Sequence, residues 1–488
     1  MKKQIRNLAM LLLVAIAWTG CTDEIAVENK TTDTTKGTTL IASMGDNAPQ
    51  TRIDYTDNGT SGMDLKWSAG DEFTVFYKSG GAVGNFVLKS GEGTTTGVFE
   101  AVGSVTLHNG YEYIAVYPAI SSAYVASYSA IKRPTASYIA NGNNDMTQLN
   151  DMLHIEAPFT YTNGAEISTK IAFKHQYAML TIKLSAGTIT DVVGKISMHS
   201  STNDFSDVQF ITTVPTSDIT AYTMMKPASG DRDITFAVTT ATGKVYTQTI
   251  STSKEYVAGK RYTATLDNLT ELTGVDLASF AASAPNGDIW VITDADTPTA
   301  DKFTNINNQL KAIESSGRKI ELIFSNIKAI PANAMTILQA LASVSCPQVT
   351  SLGAYAFHNN TNLTSVYFPN LTNISSNSLG KALTSIYLPK LPVVPTQAFS
   401  GCSNLTTVYL PKVTSIANTA FPNCSSLKSF TVATEATLSS LGTSIFAGLT
   451  TLTNITVTTS GGTTADNSWT VGNQSYGPFR KVNIISAP

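Results

Sequence analysis

Apolar and polar positions follow two regimes along this chain. In the last two-fifths the apolar letters recur with a long period: LTSIYLPKLPVVPTQAFSGCSNL is followed by LTTVYLPKVTSIANTAFPNCSSL, with polar letters exchanged and apolar ones kept. Leu341, Leu363, Leu383, Leu405 and Leu427 begin equivalent units, at steps of 22, 20, 22 and 22. One unit places its apolar residues at Leu405, Val408, Leu410, Val413, Ile416, Ala420, Phe421 and Cys424; the unit before it uses Leu383, Ile386, Leu388, Leu391, Val394, Ala398, Phe399 and Cys402. A unit this short cannot bury its own apolar side, whereas stacked units share one interior, so interior letters persist while surface letters drift. Each unit predicts a short strand, a turn at Pro369, Pro389 or Pro411, and a return arm. The stack covers about 320–457, its last step loosening to 25 between Leu427 and Leu452.

From Thr39 to Leu272 the period is two. Glu72 to Tyr77, Tyr113 to Tyr117 and Met179 to Leu184 alternate over a few residues between clusters of Gly, Asn, Asp and Ser. Short alternating runs with no long helical pattern between them predict β-sandwiches. The stretch is generous for one, so two in tandem are expected, 39–190 and 191–272. In the linker 273–319, Phe303, Ile306, Leu310 and Ile313 stand at helical spacing and Gly317 ends the run, which predicts a helix capping the amino end of the stack. Trp469, Tyr476, Phe479 and Val482 in 458–488 suit the opposite cap, unless Gly461-Gly462 begins a loose tail.

Composition adds to this mainly-β picture. Charged residues make up 14% of the 488 residues, and Thr, Ser and Asn abound, as in strand-rich secreted proteins. A formal net charge of -3 gives no basic footprint and argues against nucleic acid as a partner. Cys21, Cys346, Cys402 and Cys424 form no CxxC pair, and the histidines are scattered without HExxH, so no metal or cofactor is expected. No nucleophile elbow or phosphate loop is present, and no catalytic residue is assigned. Cys402 and Cys424 fill the same interior slot of adjacent units. A disulfide there is sterically conceivable, and buried thiols are the expectation.

The amino terminus reads as an address. Lys2, Lys3 and Arg6 precede an apolar run from Leu8 to Ala17, suited to a secretory signal and too short for a permanent span. It ends in Gly20-Cys21, which resembles a bacterial lipoprotein signal over 1–20; the resemblance implies lipidation at Cys21, a lipid anchor as the sole membrane contact, and exposure on the outer membrane. A soluble secreted protein cut near the same place is the alternative. Residues 21–38 are polar and predict a flexible tether, its 18-residue stretch after Cys21 holding the folded part about 20–25 Å from its anchor.

Two further resemblances rest on longer patterns. Thr51-Arg52, Trp67-Ser68-Ala69-Gly70-Asp71, Tyr117-Pro118, Asp151-Met152-Leu153, Phe173 to Ala178 and Gly259-Lys260-Arg261-Tyr262 come in the order seen in fimbrillin-like proteins of Bacteroidetes. This implies transthyretin-like sandwiches in a surface or pilus-associated lipoprotein. Cutting after an arginine in pilus-forming relatives frees a groove for a neighbour's strand, and Arg52 lies where such a cut could fall; a solvated arginine beside a turn is the plainer account. The pattern LxxVxLPxVxxI with its AF..CS.L tail is similar to the BspA-like leucine-rich repeats of Bacteroidetes surface proteins.

In each repeat strand, alternation turns two residues to the open face: Ser365 with Tyr367, Ser385 with Tyr387, Thr407 with Tyr409. Tyrosines on neighbouring strands, about 4.8 Å apart, either stabilise the sheet or form a recognition surface. The expected function is that of a surface adhesin whose repeats meet a host or bacterial protein or glycan. The alternative is an accessory or tip subunit contacting other fimbrial subunits.

Overall fold

The computed structural model describes residues 39–44, 66–119 except 68 and 118, 136–139, 155–162, 170–184, 189–200, 205–214, 219–225, 232–252, 256, 261–447 except 278–279, 281–286, 297, 428, 433–439 and 443, and 454–458, 463–465, 468–471, 474–476 and 481–485. The expected signal and tether with Cys21, and Arg52, lie outside them. The described residues form one compact unit.

Seven strands of the first module close into a barrel, in the order Thr39–Met44, Thr96–Ala101, Ala82–Ser90, Glu72–Tyr77, Glu112–Tyr117, Ile155–Thr160 and Lys170–His175. Closure comes from the first strand, which runs antiparallel to Thr96–Ala101 and parallel to Lys170–His175. The expected two-sheet sandwich thus gives way to a barrel: alternation reports which residues face inward, not whether the edges meet. Trp67 fills the barrel with its ring 4.7 Å from Phe99, 5.5 Å from Tyr117 and 5.9 Å from Phe173. Its indole N–H donates to the Ala42 carbonyl at 3.2 Å, tying the closing strand to the core.

In the second module a six-stranded sheet runs Thr270–Glu271, Val245–Thr252, Arg232–Thr240, Val193–Ser200, Phe205–Val214, Ala136–Ile139. A three-stranded sheet, Ile219–Met225, Ala178–Leu184, Arg261–Leu266, shares its core through Leu180, Ile182, Ile196, Val208, Phe236 and Leu266. Ala136–Ile139 and Ala178–Leu184, which the sequence groups with the first module, pair here. Every residue of Val193–Ser200 is buried. A strand with one solvent face would alternate, so this sheet is covered on both sides.

The covering layer is the stack of coils. Ile289–Asp296, Ile320–Ile327, Leu341–Ser345 and Ser365–Tyr367 form one parallel sheet; Ser385–Tyr387, Thr407–Leu410, Ser429–Val432, Asn454–Thr458 and Lys481–Ile485 form the next. The break falls at the 20-residue step between Leu363 and Leu383. Register pairs Ser343 with Ser365, Ser385 with Thr407 and Thr407 with Ser429, as the leucine spacing requires. Leu341, Leu363, Leu383, Leu405 and Leu427 are fully buried in one cluster. Beyond it Ser429 pairs with Thr456, which makes Asn454 rather than Leu452 the equivalent of Leu427. The sheet also gains Lys481–Ile485, from a segment expected as cap or tail, while Thr463–Ala465, Ser468–Val471 and Gln474–Tyr476 form a separate meander.

The helix Thr304–Ala312 sits between Ile289–Asp296 and Ile320–Ile327, with Phe303, Ile306 and Leu310 buried, and Gly317 follows at φ 72°. Threonines stitch the coils. Thr364, Thr384 and Thr406 each direct N–H and hydroxyl at one carbonyl of the preceding coil, the hydroxyls at 3.5, 3.3 and 3.0 Å. On the return arms Tyr355, Asn377, Gln397 and Thr419 share a left-handed turn slot at φ 53° to 59°. No described helix is long and apolar enough to cross a membrane.

Candidate binding face

Alternation along the repeat strands turns Glu321, Ser343, Ser345, Ser365, Tyr367, Ser385, Tyr387, Thr407 and Tyr409 to one side of the sheet, away from the leucine interior. Most of that side is covered. Tyr367 is 0% exposed and Tyr387 2%, with Ser365 at 1% and Ser385 at 5%; the expectation that these four lie open is corrected. The second module lies on Ser365, through Asp207 and Gln209, and on Tyr367, through Gly194. Thr407 and Tyr409, in the same slots one coil later, are half-buried. Tyr409 stacks on Tyr387 with ring centroids 5.0 Å apart.

Charges and hydroxyls hold the contact. The Lys195 ammonium donates to Glu321 Oε1 at 2.7 Å, Ser343 Oγ at 2.7 Å and Ser345 Oγ at 3.0 Å, which uses all three of its protons. Asp207 Oδ2 lies 3.3 Å from it. The other Glu321 oxygen accepts from the Ser197 hydroxyl and lies 3.0 Å from His199 Nε2. One coil on, the Ser365 hydroxyl donates to Asp207 Oδ2 at 2.5 Å, and the Gln209 amide donates to Asp207 at 3.1 Å and to Ser365 at 3.0 Å.

Burial shifts these groups in different directions. Desolvation alone would raise the Glu321 carboxyl, but Lys195 beside it and the hydrogen bonds from His199 and Lys195 hold it down to about 2. Desolvation likewise works against the Lys195 charge, and Glu321 with Asp207 outweighs it, so Lys195 is raised. For Asp207 desolvation prevails over Lys195, Ser365 and Gln209, and its carboxyl is raised. Glu321 is therefore the principal counter-charge of Lys195.

Two glycines let the layers meet. A Cβ on Gly194 would stand 1.8 Å from Tyr367 Oη, and one on Gly243, at φ 94°, would stand 2.3 Å from the Ser325 carbonyl oxygen. Gln348 adds a hydrogen bond to the Ala241 carbonyl at 2.9 Å. At the rim, His199, Asp233, Thr235, Thr247, Asp288 and Ile289 line an open cleft of about 280 Å³.

Sequence reasoning missed Lys195, Asp207, Glu321 and His199. The available signal was a lone acid inside IELIF and a lone base inside VGKISM: a charge within an apolar strand calls for a partner. Cys346, Cys402 and Cys424 are free and buried, Cys424 with its thiol 3.2 Å from the Phe399 carbonyl. Among the described residues no group of three His, Cys, Asp or Glu is placed to hold a metal ion.

Residues 301–383 and 379–470 match, in 6 copies, the model of the BspA type leucine rich repeat region. The matched stretch spans the coils, about a third of the chain. Among solved structures, the chain is similar to a candidate cell adhesion protein from Bacteroides uniformis at 17% identity, covering 49% of this chain and 98% of that one, with a TM-score of 0.27. A candidate cell adhesion protein from Bacteroides ovatus matches at 13% identity over 49% and 96%, TM-score 0.27. A fimbrial protein from Bacteroides ovatus matches at 12% identity over 47% and 49%, TM-score 0.24, so this chain spans about half of its length. The fold above rests on its own strand pairings, not on these likenesses. Among curated proteins nothing matches the chain.

Proposed function

We propose that this chain is a cell-surface lipoprotein adhesin, anchored through Cys21, in which two fimbrillin-like β-modules carry a capped leucine-rich-repeat solenoid that meets a protein or glycan. The observation that carries this reading is the parallel sheet of the coils, whose face is buried as far as Tyr387 and half-buried at Thr407 and Tyr409. A flat strand surface built from the same slot in successive coils suits an extended ligand. The test is attachment of cells displaying the chain to protein and glycan surfaces. Tyr409→Ser and Thr407→Ala should weaken attachment while leaving the thermal transition in place. Attachment unchanged by both variants would move the site off the sheet face. Labelling with a radioactive fatty acid, lost in Cys21→Ser, tests the anchor.

A second reading has its own support. The strand Thr39–Met44 closes the barrel, and it precedes Arg52. Cleavage after Arg52 would release the strand and open a groove between Thr96–Ala101 and Lys170–His175, to be filled by a strand of another fimbrial subunit. Treatment with an arginine-specific protease should then yield a chain beginning at Ile53 inside detergent-resistant polymers. Trimmed chains that stay monomeric would rule out strand exchange.

A further inference from the structure

Acidic residues are unevenly placed along this chain. From 322 to 434 there is not one aspartate or glutamate, while Lys328, Lys381, Lys390, Lys412 and Lys428 fall in the same stretch. The coils are thus cationic within a chain whose net charge is -3. Nothing in that stretch can neutralise its lysines, and Glu321 at its border is spent on Lys195.

Lys390 and Lys412 occupy the same slot of adjacent coils, just beyond the strands Ser385–Tyr387 and Thr407–Leu410, and both are exposed. The Lys390 ammonium bonds Asn370 Oδ1 at 2.5 Å, a neutral partner that positions the charge without cancelling it. Beside them the face leaves its cover: Thr407, Tyr409 and Thr431 are each half-buried, with the Tyr409 ring braced by Tyr387. Large apolar side chains are scarce at this spot. The described ones that stand exposed are Tyr111, Val275, Ile337, Tyr355 and Val393, none of them in these two strands. A protein partner is usually gripped by buried aromatic or aliphatic anchors in a desolvated centre. This strip instead offers one braced ring, hydroxyls, and positive charge along an edge.

We infer that the open strip at Tyr409, flanked by Lys390 and Lys412, binds an anionic glycan, a sugar chain bearing carboxylate or sulfate groups. One sugar face lies on the Tyr409 ring, the Thr407 and Thr431 hydroxyls bond its hydroxyls, and the acidic groups sit along the lysine edge. The inference rests on the adhesin reading and names its ligand class.

The purified full chain is passed over immobilised heparin, polygalacturonate and neutral dextran at low and high salt. Binding to the two polyanions is expected, weakening steeply with salt because exposed charges are screened beyond about 10 Å at 0.1 M, and dextran is not retained. Lys390→Gln/Lys412→Gln should weaken polyanion binding about fivefold to tenfold, and Tyr409→Ser should weaken it at every salt concentration. Lys302→Gln/Lys311→Gln, on and beside the helix, should change little. Equal losses in both lysine pairs, or equal retention on dextran, would overturn the inference. Failure to bind polyanions by a chain that still mediates cell attachment would overturn it and leave the adhesin reading standing. Absence of attachment to any surface would instead remove that reading.

Discussion

At the scale of single residues, the buried charges set the terms. Lys195 spends three donors on three acceptors with Glu321 among them, and removing one member leaves the other charged and dry. Lys195→Met is expected to cost about 3–5 kcal/mol by denaturant unfolding, and the double variant Lys195→Met/Glu321→Leu less than the sum of its single changes. The pH response follows from the shifts. Glu321 is lowered from 4.5 to about 2, so its contribution is complete above pH 4.5 and disappears as pH falls through about 2. Lys195 is raised from 10.5, so its contribution holds below that value and is lost as pH climbs through the raised one. Asp207 is raised from 3.8 and acts oppositely to Glu321, costing stability as pH rises past 3.8 through its raised value. Glu321→Gln should flatten the acid limb of the stability curve between pH 4.5 and 2; an unaltered limb would deny that Glu321 is ionised against Lys195. Tyr367 gives a sharper case. Its hydroxyl is buried with no hydrogen-bond partner among the described residues, and burial pushes its pKa up. Tyr367→Phe should therefore be neutral or stabilising. Gly194→Ala should cost about 1–3 kcal/mol through the clash with that hydroxyl, and Tyr367→Phe should recover part of the loss.

At the scale of elements, the coil interior is legible in the sequence because every coil repeats the same constraint. Leu405, Val408, Leu410 and Phe421 could not drift without opening the shared core, and all are fully buried. Leu405→Ala should cost about 2–5 kcal/mol, read as a lowered unfolding midpoint. The helix at Thr304–Ala312 and the stop at Gly317 were legible for the same kind of reason: Phe303, Ile306 and Leu310 keep helical spacing because they face that core. The strand Ile289–Asp296 was harder to see, since IWVITDAD occurs once and no repeat supports it. Closure of the first barrel was not legible at all. Its decisive pairing joins residues 41–44 to 170–173, and no local pattern reports so distant a partner.

At the scale of the whole molecule, the repeat sheet meets two surroundings that its slots alone do not distinguish. Ser365, Ser385 and Thr407 are equivalent in sequence, yet the first two are buried, Ser365 against Asp207 and Gln209 of the second β-module, and the third is half-buried. Alternation told which side chains leave the coil interior; what lies on top depends on Lys195 and Asp207, more than a hundred residues earlier. Four of the six residues of the expected face are thus buried within the chain, and the two left over, Tyr409 and Thr407, are where recognition is proposed. This division is tested most directly by thiol labelling of single cysteines placed in the same slot of a Cys21→Ser chain, with the buried Cys346, Cys402 and Cys424 as a silent background. Thr407→Cys should react quickly in the native protein, and Ser365→Cys only at the rate of unfolding. Rapid labelling of both in the folded chain would contradict the account, because the second module could not then be covering the front of the repeat sheet.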